Sequence, residues 1–235
     1  MIRFLASLAL VFSLAVCVSL RAQAPGGDED ARLPFVRRAL ATGGHLRPYH
    51  GLSGLAVDTQ GHLWAVPERQ RALLRLSIEG ESPGLAGEPV PLAGVPAGHD
   101  TESLAWLGPG RFALGTEAGR DGGPGDLVLF GRIEQGRARV TRSVRLPYAR
   151  AGLATRRNRG IEGLCHASGR LVAAVEQQVE KDGVRFAPLF VGAPQGTPRP
   201  GWSLHWVRLT TSSGTLSSVA CRPAVGPLFE LGRAS

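Results

Sequence analysis

The sequence is poor in the residues that build common cofactor and metal motifs. Its 235 residues include three cysteines, six histidines, one methionine and two tyrosines. The cysteines form no CxxC pair and the histidines show neither HxH nor HExxH spacing, which argues against a zinc site. No GxGxxG or P-loop fingerprint is present. A GxSxG nucleophile elbow is also missing, which disfavours a serine esterase mechanism.

Clusters of basic residues are scarce as well. The formal net charge is +8, and all but one of the 27 basic residues are arginine, the exception being Lys181. A nucleic-acid-binding protein shows a basic stripe on one face, and the short run RRNR at 156–159 does not supply one. We therefore predict no nucleic-acid partner, whereas a mildly cationic surface favours small anionic substrates.

Helical patterning is missing after the N-terminus, whereas turn residues are abundant. The chain holds 32 glycines and 17 prolines, and 43% of its residues are hydrophobic. This composition indicates a packed core interrupted by many turns. The sequence predicts an all-β protein.

The first 24 residues have the layout of a secretory signal peptide. Arg3 precedes the apolar run Phe4–Leu20, which is followed by Arg21 and the small-residue motif Ala22-Gln23-Ala24. We predict export to the periplasm or the extracellular space, with residues 1–24 as the leader and 25–49 as a lead-in segment. Pro25 disfavours cleavage, so an uncleaved anchor is the alternative, and the leader is the only predicted membrane contact.

The rest of the chain repeats one pattern three times. The copies SGLA, ESLA and EGLC align on Leu55, Leu104 and Leu164, with starts 49 and 60 residues apart. Each copy continues with a turn (DTQG at 58, LGPG at 107, ASG at 167), an apolar run and a glutamate. Such spacing is typical of propeller blades built from short strands. The predicted hairpins are centred near Gly61, Pro109 and Ser168.

Two further apolar segments complete each copy as a four-stranded blade. The third strands are ALLRLS at 72, DLVLFG at 126 and LHWVRL at 204; the fourth are EPVPLAG at 88, RVTRSVRL at 139 and TLSSVACR at 215. The proline-containing loop 177–202 should run irregularly over one face. The predicted fold is a β-propeller over residues 50–222, with a C-terminal tail at 223–235. Three blades are fewer than the usual number of about 4 to 8, so we expect a partial or truncated propeller with an open edge.

Glutamates flank the hairpins of the second and third copies. The start of one strand and the end of its antiparallel neighbour share an edge, so Glu102 should face Glu117 at about 5 Å, and Glu162 should face Glu176. The two pairs should converge near the central channel. There an arginine, a raised pKa or a bound cation must compensate the repulsion.

Other polar residues accompany these glutamates. His99 and Asp100 precede the second copy and Asn158 precedes the third, whereas in the first copy Ser53 replaces the glutamate and leaves Glu68 alone. Carboxylate, carbonyl and amide oxygens are ligands of calcium and magnesium. We therefore predict a calcium cofactor, with the ligands Glu102, Glu117, Glu162 and Glu176. The alternative is that the glutamates merely end strands and face water.

Two cysteines remain after the leader, Cys165 and Cys221. They could pair in an oxidising compartment. Because Cys165 takes the place of Ala56 and Ala105 in the other copies, we expect instead a small buried thiol that fills a core position.

The motifs GLSGLAVD at 51, DTESLAW at 100 and NRGIEGLC at 158 resemble the esterase-like phytase family of β-propellers. The third motif carries the Asn-x-Gly-x-Glu-Gly-Leu pattern of that family, with Asn158, Gly160, Glu162 and Gly163 in matching positions. The resemblance extends roughly over residues 50–215. It implies a secreted propeller with hydrolytic activity on phosphate or carboxylic esters.

Three functional hypotheses follow. The first is an exported hydrolase of phosphate or related esters, in which a divalent cation polarises an anionic small-molecule ester and activates water. Its predicted catalytic residues are Glu162, Glu176, Asn158 and Arg159, and the anionic group would contact Arg120, Arg157 or Arg159. The second hypothesis is a non-catalytic propeller that binds or scaffolds in the cell envelope. The third is a lactonase-like hydrolase of sugar acids.

Overall fold

The computed structural model describes Leu46, Pro48, Tyr49 and residues 51–79, 82–118, 125–193, 201–210 and 214–221. The predicted leader, nearly all of the lead-in segment, Arg120 and the predicted tail lie outside the described residues. Within these ranges the chain forms β-strands and a 3-10 turn at Tyr148–Ala151, which confirms the all-β prediction. No helix in the described part of the chain is both long and apolar enough to span a bilayer.

The first repeat folds as an antiparallel blade with one additional strand. Its strands are β1 (Leu52–Val57), β2 (Leu63–Pro67), β3 (Ala72–Glu79), β4 (Ser82–Leu85) and β5 (Val90–Ala93). The predicted turn is closed by Asp58, whose carboxylate accepts hydrogen bonds from the Gln60 and His62 amides and the Trp64 indole. Gly61 adopts φ +84° in this turn, a conformation that glycine reaches without steric cost.

The second repeat forms four long strands that overlap the predicted segments and differ from them by one to a few residues at most ends. They are β6 (His99–Gly108), β7 (Arg111–Ala118), β8 (Leu127–Glu134) and β9 (Arg137–Arg145). The outer strand β5 of the first blade runs parallel to β9, with Leu92 paired to Ala138. The two blades thus share one continuous nine-stranded sheet, a connection that the sequence pattern did not indicate.

The third repeat differs from its predicted strand assignment. Its strands are β10 (Gly163–Ala167), β11 (Arg170–Ala174), β12 (Val179–Lys181), β13 (Val184–Gly192) and β14 (Ser203–Arg208). The prediction of an irregular loop over 177–202 is wrong, because β12 and β13 lie within it. LHWVRL is the fourth strand rather than the third, since β14 pairs with β13 and β13 pairs with β11. Pro188 is accepted in β13, where it faces Trp206 of the edge strand β14.

The blades meet through small residues on their first strands. A Cβ added to Gly54 of β1 would lie 2.6 Å from the backbone nitrogen of Leu104 on β6, so a side chain there would force the blades apart. At the equivalent position of the second blade, Ser103 Oγ donates a hydrogen bond of 2.7 Å to the carbonyl of Ile161. The predicted SGLA, ESLA and EGLC motifs are therefore the contact points between blades.

Segment 214–221 does not form the predicted fourth strand of the third blade. It lies against β10 instead, and a Cβ added to Gly163 would come within 2.7 Å of the Val219 nitrogen. This contact matches that between Gly54 and Leu104, so the segment lies where the first strand of a following blade would lie. Cys221 in this segment forms a disulfide with Cys165. The expectation of a free thiol is wrong, because the close approach of the two segments places these cysteines together.

Apolar cores fill the spaces between successive blades. Leu104 and Leu164, which begin the second and third repeats, are only 1% and 5% exposed because the preceding blade covers them. Their equivalent Leu55 is 59% exposed. In the described residues no strand precedes β1 to cover Leu55.

Candidate functional site

The ends of the inner strands of all three blades surround one cavity of about 280 Å³. Six carboxylates line it, together with Arg69, Arg157 and Asn158. The carboxylates belong to Glu68, Asp100, Glu102, Glu117, Glu162 and Glu176. The prediction that Glu102, Glu117, Glu162 and Glu176 converge is therefore confirmed as geometry.

The six carboxylates form two groups of three. In the first triad, Glu68, Asp100 and Glu102, each residue offers one oxygen and these oxygens lie within 4.8 Å of one another. The same holds for the second triad, Glu117, Glu162 and Glu176. Each triad spans a junction. It combines a glutamate at or directly after the end of one blade's second strand (Glu68 or Glu117) with a glutamate on or directly before the first strand of the next blade (Glu102 or Glu162).

The predicted pairing of Glu102 with Glu117 is wrong in register. A bulge between Thr101 and Ser103 moves Glu102 out of the ladder, and Asp100 stands opposite Glu117. An extra residue in one strand shifts every side chain beyond it, which no sequence alignment of the repeats reveals. Glu102 consequently joins Glu68, and the prediction that Glu68 stands alone is also wrong.

Gly160 allows the second triad to form. The Ile161 amide donates a hydrogen bond of 3.3 Å to the Thr116 carbonyl, so the segment before β10 crosses the end of β7 closely. A Cβ added to Gly160 would lie 2.6 Å from the Cβ of Glu117. The Glu176 amide donates to the Gly160 carbonyl at 3.1 Å. The glycine of the NRGIEGLC motif is thus required for Glu117, Glu162 and Glu176 to approach one another.

Burial raises the pKa of three of these carboxyl groups. Burial, reinforced by the charges of Glu102, Glu176 and Glu117, raises the pKa of Glu162 to about 8. Burial also raises the pKa of Glu102 to about 7. The pKa of Glu117 rises to about 7 as well, because burial outweighs the hydrogen bond from the Gly160 amide. Among the described residues of the cavity lining, the Arg69 guanidinium forms an ion pair with Oε1 of Glu68 at 3.1 Å.

The predicted arginines occupy different places. Arg157 and the predicted Asn158 line the cavity. Arg159 is exposed and lies outside the cavity lining; its carbonyl accepts a hydrogen bond from Gln177. Arg120 lies outside the described residues. Sequence reasoning missed Arg69, which no repeat pattern marks.

A buried polar pair supports the second triad from behind. Asp126 accepts a hydrogen bond of 2.9 Å from the Ala118 amide and one of 2.7 Å from the Tyr148 hydroxyl. Burial raises the pKa of Asp126 and of Tyr148. The buried His99 contacts the Gly125 carbonyl at 2.9 Å and is absent from the cavity lining. These contacts fix the end of β7 that carries Glu117.

Comparisons with known proteins place this architecture. No curated protein shows a significant sequence match to the chain. One solved structure that it resembles is a Bacteroides uniformis protein provisionally assigned as a 6-phosphogluconolactonase, with 15% identity and a TM-score of 0.37 over 65% of this chain. The chain spans 40% of the length of that protein. The family model described as phytase-like, with esterase-like activity of phytase, matches residues 47–220, and the chain belongs to this phytase-like family.

Proposed function

We propose that this protein is an exported, metal-assisted hydrolase of phosphate or related anionic esters. The observation that carries the proposal is the cavity in which two carboxylate triads lie beside Asn158 and Arg157. Membership in the phytase-like family fits a hydrolase. The choice of ester and of cation is the proposed part.

The donor set of the cavity suits a hard cation. Its lining contains carboxylates, one amide and two guanidinium groups, and neither histidine nor cysteine. Calcium takes six to eight oxygen ligands and magnesium also prefers oxygen, whereas zinc sites usually include histidine or cysteine. The ligands would be Glu102, Glu117, Glu162 and Glu176, supplemented by Glu68 and Asp100. A bound cation would polarise the ester and lower the pKa of a coordinated water.

The high pKa values support the same assignment. Because burial raises the pKa of Glu162 to about 8, this carboxyl keeps its proton near neutral pH when no cation compensates its charge. Cation binding must displace such protons, so affinity should increase with pH. A glutamate that is not engaged as a ligand can then accept a proton from the attacking water.

The net charge of the residues that line the cavity determines which substrates can enter. Six carboxylates would repel an anionic ester. Arg157 is exposed at the cavity and can pair with a phosphate oxygen, but Arg69 and Arg157 together do not neutralise six carboxylates. Activity should therefore depend completely on the cation.

Hydrolysis assays test this proposal. p-Nitrophenyl phosphate and p-nitrophenyl acetate would be offered with calcium, with magnesium and with a chelator. We expect cation-dependent hydrolysis of the phosphate ester that Glu162→Gln abolishes. Glu134→Gln is the matched control, because Glu134 is exposed and paired with Arg132 away from the cavity. Hydrolysis that persists in chelator would overturn the proposal, and cation binding without turnover would favour a non-catalytic module.

Export is the second part of the proposal. It rests on the leader-like residues 1–24, and the disulfide Cys165–Cys221 supports it because disulfides persist in oxidising compartments. A fusion of residues 1–30 to a reporter should reach the far side of the inner membrane. A reporter that remains cytoplasmic would contradict export, and mass spectrometry of the mature chain would distinguish a cleaved leader from an anchor.

A further inference from the structure

A third junction lies between the third blade and segment 214–221. It resembles the first two junctions, but segment 214–221 contains no acidic residue. Segment 214–221 lies against β10 as β6 lies against β1, so its Thr215 corresponds to Asp100. At this junction Thr215 Oγ1 donates a hydrogen bond of 3.1 Å to Oε1 of Glu176. Glu176 thus faces Glu117 and Glu162 on one side and a hydroxyl on the other.

Several contacts fix the segment that carries Thr215. The carbonyl of Gly214 accepts hydrogen bonds from the side-chain amide of Gln178 at 2.7 Å and from the Arg185 guanidinium at 2.6 Å. Leu216 and Val219 are buried in the core on the far face of the third blade. The disulfide between Cys221 and Cys165 joins the segment covalently to β10. These contacts fix the backbone of segment 214–221, and thereby the position of the Thr215 hydroxyl.

A single hydrogen bond to one oxygen matters at this position. Glu176 shares its surroundings with two other carboxylates, and without a fixed partner its side chain would turn away from them to reduce repulsion. A donor on Oε1 holds the carboxylate in place and directs its remaining lone pairs toward the cavity. Residues that orient metal ligands in this way typically change metal affinity about 10–100-fold when they are removed.

We propose that Thr215 is a positioning residue for Glu176, and that the disulfide-anchored segment 214–221 completes the second triad. This inference rests on the proposed function in that it treats the triad as a cation site. It adds a residue outside the family motif and makes cation affinity depend on the Cys165–Cys221 bond.

Calcium titrations of the full chain test the inference. Thr215→Val keeps the shape but removes the donor, and we expect calcium affinity, measured by calorimetry, to fall about tenfold. Thr215→Ser should restore affinity to within roughly twofold of the parent, because the hydroxyl returns. Ser218→Ala is the control, since Ser218 is exposed on the same segment. Equal affinity in the parent and Thr215→Val would overturn the inference.

Reduction supplies an independent test. Dithiothreitol transfers two electrons and two protons to the disulfide, giving two thiols while the dithiol closes to a cyclic disulfide. Reduction should weaken calcium binding in the parent and add little in Thr215→Val, because both changes act through the same hydrogen bond. Fully additive losses would contradict the coupling.

A parent that binds no calcium would refute the proposed cation but would still leave the positioning of Glu176 to be decided. Crystal structures of the metal-free proteins decide it. The Glu176 carboxylate should be displaced in Thr215→Val and in place in Thr215→Ser. An unmoved carboxylate in both would overturn the inference.

Discussion

The two triads occupy equivalent junctions but differ in how their charge is compensated. Within the first blade the Glu68 amide donates to the Gly51 carbonyl at 2.7 Å, and within the third blade the Glu176 amide donates to the Gly160 carbonyl at 3.1 Å. The backbone thus repeats between the first and third blades. In the first triad Glu68 pairs with Arg69 at 3.1 Å. In the second triad no arginine of the described residues lies within ion-pair distance of Glu117, Glu162 or Glu176.

This difference indicates different tasks for the two triads. In the first triad the Arg69 guanidinium compensates part of the negative charge, so this triad depends less on a bound cation. A buried carboxylate triad without an arginine favours protonation of its carboxylates or the binding of a cation from solution. Glu162, whose pKa burial raises to about 8, belongs to the second triad. The second triad is therefore where we expect cation binding and catalysis to concentrate.

The largest expected effect is on turnover. Glu162→Gln should lower kcat/KM for a phosphate ester about 100-fold or more, because it removes a proposed ligand of the cation that stabilises the transition state. Glu68→Gln should lower it by no more than about tenfold, equivalent to about 1.4 kcal/mol. Steady-state kinetics at saturating calcium measure both. Equal losses would show that the triads act as one site.

The next effect is the pH dependence of stability without cation. The folded pKa of Glu162 is raised to about 8, and that of Glu117 to about 7, whereas unfolded glutamates titrate near about 4.3. Between these values the folded state binds more protons, so its stability is greatest below about pH 4.3 and is lost as pH rises toward 8. At about 1.4 kcal/mol per unit of pKa, the shift of Glu162 alone would correspond to about 5 kcal/mol. Because Glu162 is only half-buried, solvent screens its charge, and we expect a loss of roughly 2 kcal/mol.

Urea denaturation in chelator at several pH values measures this loss. Glu162→Gln should flatten the curve above pH 6, because one repelling carboxylate is gone. Glu68→Gln should flatten the curve less, because the Glu68 charge is only one of the smaller causes that raise the pKa of Glu102. A parent whose stability rises between pH 5 and 8 would show that the second triad is solvated and that the contrast between the triads does not hold.

A third effect concerns the support behind the second triad. Tyr148→Phe removes the donor to the buried Asp126, and an unsatisfied buried acceptor costs about 1–3 kcal/mol. Urea denaturation should show this loss, and calcium affinity should fall with it because Asp126 holds the end of β7. Tyr49→Phe is the matched control, since Tyr49 packs near the first blade. Identical stability of the two variants would show that the Tyr148–Asp126 hydrogen bond contributes little. Unchanged calcium affinity in Tyr148→Phe would show that this bond does not support the second triad.

The smallest effect concerns the first triad. Arg69→Gln removes an ion pair whose arginine is 68% exposed, and exposed pairs contribute about 0–1 kcal/mol. We expect a loss of less than about 0.5 kcal/mol that disappears in high salt, measured by denaturation at two ionic strengths. Arg132→Gln, which breaks the exposed pair with Glu134, is the control. Calcium affinity should rise in Arg69→Gln alone, because the first triad has lost its cation.

Local features of the chain were readable because they depend on short-range chemistry. The turns at Gly61, Pro109 and Ser168, the first two strands of each blade and the convergence of four glutamates followed from repeated residues at fixed offsets. Strand β13 was missed because Pro188 and the three prolines that follow the strand in the sequence resemble a loop. Pro188 is nevertheless tolerated where it pairs with β14. The Cys165–Cys221 disulfide was missed because it joins segments 56 residues apart.

The sequence by itself determined an all-β chain of repeated hairpins that carry acids at their ends, because side-chain alternation and turn residues act within a few positions. Only the tertiary structure decided which acids meet. The bulge at Glu102 moved that residue from Glu117 to Glu68, and the contact between Gly160 and Glu117 built the second triad. Segment 214–221 brought Thr215 to Glu176. These contacts join residues far apart in the chain, and their geometry depends on how closely two backbones can approach.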